Sequence, residues 1–230
     1  MKRYLITGAS RGIGRAIAEQ LAAEDVTLLL HGRDAVALAE VYKSVKPRCG
    51  GVVRLIQDLA ITGGVSDLIA AVGSDPLDLL VNNAGIAIVK PFGEITPVEW
   101  EQTLGVNVTA PFLLTQRFAP KMPPGASIVN ILSVAAKTGF PNWSAYCMSK
   151  FALEGFSQSV REELHEHKIR VINIYPAATN TEIWNNVEGD WPRNKMISAE
   201  QVASAIVYAL SRPADVTVEN ITLSSAAGNL

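Results

Sequence analysis

Tyr146 and Lys150 stand four residues apart in SAYCMSK, within a segment (143–167) whose spacing predicts the longest helix of the chain. At that spacing a phenol and an ammonium share one helix face. Ser133 lies thirteen residues before the tyrosine, at the end of a predicted strand over 126–132. Ligands bind at strand C-termini in open parallel sheets, so three proton-bearing groups converge on a ligand edge. A second set of residues points to phosphate. TGASRGIG at 7–14 sets Gly8, Gly12 and Gly14 directly behind an apolar run. Glycine is the costliest residue to order, so a cluster there implies backbone that a ligand approaches closely. A helix starting at that turn would aim free N–H groups at a diphosphate. The spacing is G-x-x-x-G-x-G, not G-x-G-x-x-G, and a plain strand–turn–helix needing glycine for geometry also accounts for it.

The elements that must hold these groups alternate along the chain. Short apolar runs predict strands at Leu5-Ile6, 26–30, 51–56, 77–82, 126–132, 169–175 and 216–223. Between them, helical spacing covers 13–24, a segment capped by Asp34 and running to Val45, then 64–72, 98–121, 143–167 and 198–211. The 98–121 helix is interrupted near Gly105-Val106-Asn107, and Ser198 with Gln201 forms a capping box. The strands are continuous apolar runs, as expected when both faces are buried. This predicts an α/β fold: one Rossmann-type domain over 1–230, doubly wound, with a mostly parallel sheet of about seven strands and helices on both faces. The least regular stretch, 176–197, carries Trp184, Trp191 and Pro192 and reads as a substrate loop or lid.

The end of the second strand reads His31-Gly32-Arg33-Asp34. An acid there holds a ribose 2′-hydroxyl, whereas an arginine accommodates a 2′-phosphate. Arg33 lies nineteen residues after Gly14, Asp34 serves equally as a helix cap, and Arg11 adds a second cation. Two cations favour NADP(H), with NAD(H) the alternative and a solvated loop charge the plain reading of Arg33.

Together with Asp58 after the third strand, NNAG at 82–85 and Asn107 in GVNVTAPF, these motifs make the whole chain resemble the short-chain dehydrogenase/reductase family. That family's other large class carries an added substrate domain for which this chain has no room. The resemblance implies hydride transfer between NADP(H) and a carbonyl/alcohol pair. Tyr146 would be the general acid or base, Lys150 would favour its phenolate and hold the nicotinamide ribose, and Ser133 would bond the substrate oxygen. Asn107 would hold a water beside the lysine. Ser10, Arg11 and Ile13 would line the phosphates with Gly8, Gly12 and Gly14, and Asp58 and Leu59 would meet the adenine. Asn82, Asn83, Ala84 and Gly85 would support the ribose and sheet edge, with Pro176, Thr179 and Thr181 beyond the sixth strand. Two departures stand out: Ala177 replaces a usual glycine, and SSAAGN replaces a usual Asp-Gly-Gly. The resemblance also implies a homodimer or homotetramer built on the helices near 107–121 and 143–167. An NAD-dependent alcohol dehydrogenase of the same fold is one alternative. A non-catalytic nucleotide-binding sensor is another, although such relatives usually lose the tyrosine or the lysine.

Other classes recede. A net charge of −2 lacks the basic excess that nucleic acid or an anionic membrane surface needs. No stretch reaches the roughly 20 apolar residues of a membrane helix. Met1-Lys2-Arg3-Tyr4 has no secretory apolar core behind it, and Cys49 and Cys147 read as free thiols, so a cytoplasmic protein is expected. No metal site is expected: His165, His167 and the neighbouring glutamates read as a solvated helix end. Cys147 points off the Tyr146–Lys150 face, Trp143 reads as pocket or core, and Trp184 and Trp191 as pocket or lid anchors. The apolar content of 86–96, 134–145 and 177–197 leans towards an uncharged or partly apolar carbonyl compound.

Overall fold

Adjacent residues in the first strands are buried on opposite sides. In β1 (Lys2–Ile6), Ile6 packs into one core and Leu5 into the other. In β2 (Val26–Gly32), Leu28 and Leu30 join Ile6 while Leu29 joins Leu5. A strand apolar on both sides needs a helical layer on each. The computed structural model, which describes residues 1–213 and 215–228, supplies both. One layer holds α1 (Gly12–Leu21), α2 (Ala35–Val45) and α7 (Ala199–Leu210), packed over Ile17, Leu38 and Ile206. The other holds α3 (Gly64–Val72), α4 (Pro97–Leu104), α5 (Ala110–Phe118) and α6 (Ser144–His165), with Leu68, Leu114 and Phe118 in its core. Each fully buried side chain of this kind stabilises the fold by about 1.5–3 kcal/mol.

Between the layers lies a seven-stranded sheet in the order β3-β2-β1-β4-β5-β6-β9, every pair parallel. The remaining strands are β3 (Gly51–Ile56), β4 (Leu79–Asn82), β5 (Ser127–Ile131), β6 (Arg170–Pro176) and β9 (Asn220–Leu223). The order reverses between β1 and β4, so the connections diverge there and open a crevice at the strand ends. The glycine segment leaves β1 at that point, and NNAG leaves β4 beside it.

The predicted break in the 98–121 helix is a π-helical turn over Gly105–Thr109. The capping box of α7 forms as expected, Ser198 accepting from the Gln201 amide and Gln201 from that of Ser198. One expectation needs correction. The last strand is shorter than 216–223, because only Asn220–Leu223 pair with β6. The 176–197 stretch is held at its ends. β7 (Thr179–Asn180) and β8 (Ile197–Ser198) pair in parallel and clamp its two ends, and short 3-10 turns fill the span between them.

Candidate active site

Thr7 ties the two loops at the crevice together. Its hydroxyl donates to Val81 O at 3.0 Å and accepts from the amides of Asn83 and Ala84. The Asn83 side chain returns the contact, donating to Thr7 O at 2.8 Å and Gly8 O at 3.1 Å. Gly8 and Gly12 adopt φ of +66° and +53°, a left-handed conformation that disfavours other residues. A Cβ on Gly8 would lie 2.9 Å from Ala84 Cα, so the turn closes only on glycine. Gly14 serves packing instead: a Cβ there would lie 2.3 Å from Gly8 O. Helix α1 begins at Gly12 without a side-chain cap and without an acid in its first turn. Its first amides therefore have no side-chain partner from the helix itself, which suits a diphosphate.

A cleft of about 860 Å³ extends from this loop along the strand ends. Its wall includes Gly8, Ser10, Arg11, Gly12 and Ile13, then Arg33, Asp58 and Leu59, then Asn83, Ala84 and Gly85. Ser133, Tyr146, Lys150, Pro176, Thr179 and Thr181 line it further along. The structure therefore gathers nearly all the residues expected from the sequence. Asp34 caps α2, accepting from Val36 and Ala37 at 3.1 and 3.0 Å, which leaves Arg33 as the charge facing the cleft. Ala177 costs nothing where glycine is usual, because Asn142 and Lys168 are the only non-glycine residues with positive φ among those described.

Asn82 sits elsewhere than expected. Its side chain turns into the sheet and donates to Asn130 Oδ1 at 2.9 Å, because strand alternation sends Asn82 inward and Asn83 to the loop. Asn107 is buried off the cleft wall. Its Oδ1 accepts from Ile86 N, and its Nδ2 donates to Ile86 O and Ser149 Oγ, all at 2.9–3.0 Å. The amide is thus spent on locking the π turn to the segment behind NNAG and to α6.

At the centre, Lys150 Nζ donates to Ile131 O at 2.7 Å and lies 5.6 Å from the centre of the Tyr146 ring. Burial pushes the Tyr146 phenol up to about 12, against the opposing pull of the Ser133 hydroxyl. Burial also pushes Lys150 down to about 8. Burial thus favours the neutral form of each group, holding the proton on the phenol and loosening it on the ammonium.

His31 and Thr7 are site residues that motif reading passes over. The His31 ring accepts from Gly8 N at 3.4 Å and meets Gln57 O at 3.1 Å through Nε2, while its carbonyl accepts from Ala9 N. It braces the glycine turn from beneath. Its signal is a histidine directly after the apolar run Leu28-Leu29-Leu30.

A family model described as short chain dehydrogenase matches residues 2–191. The chain is 33% identical to L-xylulose reductase of Mesocricetus auratus, covering 94% of this chain and 91% of that protein. Among solved structures, the angucycline C-6 ketoreductase LanV with bound NADP superposes with a TM-score of 0.84 at 29% identity, over 96% of this chain and 93% of that one. An alcohol dehydrogenase from Thermococcus sibiricus, complexed with 5-hydroxy-NADP, gives 0.86 at 25% identity over 100% and 99%.

Proposed function

This chain belongs to the short-chain dehydrogenase family, and on that premise we propose that it is an NADP(H)-dependent carbonyl reductase in which Tyr146 delivers the proton. The observation that carries the reading is the convergence of the Tyr146 phenol, the Ser133 hydroxyl and the Lys150 ammonium in the cleft that opens at the glycine turn. When bound, the dinucleotide supplies the hydride. The chain's own residues do the rest. The amides at the start of α1 and the Arg11 side chain receive the diphosphate, and Arg33 receives the 2′-phosphate. Relatives solved with NADP support that choice over NAD. Ser133 and Tyr146 both bond the substrate oxygen, where negative charge builds, and Tyr146 then gives up its proton. Lys150 stays charged, holds the ribose side and eases the loss of that proton.

A homodimer or homotetramer is part of the same proposal. Val98 and Trp100 of α4, Phe112 of α5 and Phe151 of α6 are exposed apolar side chains on the layer that relatives are expected to pair through. Among the described residues no helix is long and apolar enough to cross a membrane, and both cysteines are unpaired, in keeping with a reducing cytoplasm.

The test is a pair of measurements. NADPH and NADH are titrated separately by nicotinamide fluorescence, and NADPH consumption is followed with a panel of ketones and aldehydes. Tighter NADPH binding and steady consumption are expected. Tighter NADH binding would favour the NAD-dependent dehydrogenase, and binding without turnover would favour a nucleotide sensor.

A further inference from the structure

Beyond Tyr146 the cleft is walled by indole rings. Trp143 packs edge-to-face on Tyr146, with ring centres 5.5 Å apart. Trp184 packs edge-to-face on Trp143 at 5.6 Å, and Trp191 lies tilted against Trp184 at 4.8 Å. All three line the cleft and are only half-buried, with Phe140 and Ile183 beside them. They come from two separate segments, the turn before α6 and the span clamped between β7 and β8. Their contact is therefore built by the fold and not by local sequence. Core tryptophans are highly buried on average, and a plain surface would not spend three indoles on one opening.

The hydrogen bonding of the wall narrows what it receives. Trp184 Nε1 donates to Thr179 O at 2.9 Å and Trp191 Nε1 to Glu188 O at 3.2 Å. These two indoles offer ring faces and no spare donor, which leaves the Trp143 N–H as the one indole donor of the wall without a partner among the described residues. The charged side chains of the cleft gather at its other end: Arg11, Arg33 and Asp58 follow the first three strands, and the Glu182 carboxylate lies beside Gly12. Among the described residues lining the cleft, a charged substrate finds no partner at the indole end except Lys150. A hydroxyl-rich one would leave its groups unpaired against the rings.

We propose that the carbonyl substrate bears an uncharged, flat aromatic group that seats against Trp143 and Trp184, with Trp191 closing its outer side. This rests on the reductase reading above. Aromatic rings attract one another beyond the apolar area they bury, so the wall would select aryl ketones over aliphatic and polyhydroxy ones.

The test compares three carbonyl compounds in NADPH oxidation: 2-acetylnaphthalene, dihydroxyacetone and a 2-keto acid. A second readout needs no turnover: saturable quenching of tryptophan emission by quinoline, an aromatic bicycle without a carbonyl. The naphthyl ketone should have the highest kcat/KM by about a hundredfold, and quinoline should quench. Trp191→Leu should raise KM for the naphthyl ketone about tenfold, with NADPH binding unchanged. Trp184→Leu should do the same, and the more superficial Trp191 provides the answer if that variant misfolds. Preferred reduction of dihydroxyacetone or the keto acid, without quinoline quenching, overturns the aromatic assignment and leaves the reductase reading standing. Bound NADPH with no carbonyl reduced at all removes the reductase reading, and this inference with it.

Discussion

Arg33 and Asp34 are neighbours in sequence with separate tasks in the fold. Asp34 Oδ1 is engaged by two amides at the start of α2, and Arg33, not Asp34, lines the cleft. Replacing Arg33 by Ala should weaken NADPH binding about tenfold or more and leave NADH binding within about twofold, measured by fluorescence titration. His31 carries a different prediction. Burial depresses its ring to about 4, and Nδ1 must stay unprotonated to accept from Gly8 N. The Asp58 carboxylate and the Gln57 carbonyl pull the other way, but burial prevails. Between about 4 and the unfolded value near 6.5, the unfolded chain binds a proton that the folded chain refuses. Stability therefore rises with pH across that window, and is lost as pH falls through it, by about 3 kcal/mol in all. Urea unfolding at pH 7, 6 and 5 checks this, and His31→Gln should flatten that part of the slope.

Among the elements, the half of the sheet from β4 to β9 is tied by a polar ladder. Asn82, Asn130, Asn173 and Asn220 occupy one register row of four adjacent strands. Asn130 receives the Asn82 amide and donates to Ser157 Oγ and Asn173 Oδ1, and Tyr175 Oη links Asn173 to Asn220. Its inner members are buried, and Asn130→Ala takes one hydrogen-bond partner from each of three polar neighbours. It should cost about 2–4 kcal/mol in urea unfolding, well above the roughly 1 kcal/mol expected when the exposed cap is removed by Ser198→Ala. The ladder was not legible in the sequence, since its bonds join residues 43 and 48 apart and no local pattern sets a strand register. Asn82 was misplaced for that reason. Local features were legible because local physics sets them: the glycine turn, the Asp34 cap, the break at Gly105–Thr109 and the Ser198 box. The β7–β8 clamp was not, because two paired residues per strand leave no periodic trace.

In the whole molecule, the reversal of strand order sets the β1 and β4 loops side by side, and the crossover of α6 over β5 brings Tyr146 and Lys150 to Ser133. The helical layer opposite α7 exposes Trp100, Phe112 and Phe151, so light scattering should find more than one chain per particle. Trp100→Glu combined with Phe151→Glu should shift it to monomer, while a wild-type chain that is already monomeric would contradict that part of the proposal. The central claim is narrower: one phenol supplies the proton in a cleft that binds NADPH. Tyr146→Phe removes that proton and little else, and the direct measurement is NADPH affinity together with kcat for a ketone that the wild type reduces. The account predicts affinity within about threefold of wild type and a kcat lower by about a thousandfold. A phenylalanine variant that reduces the ketone at the wild-type rate would contradict it.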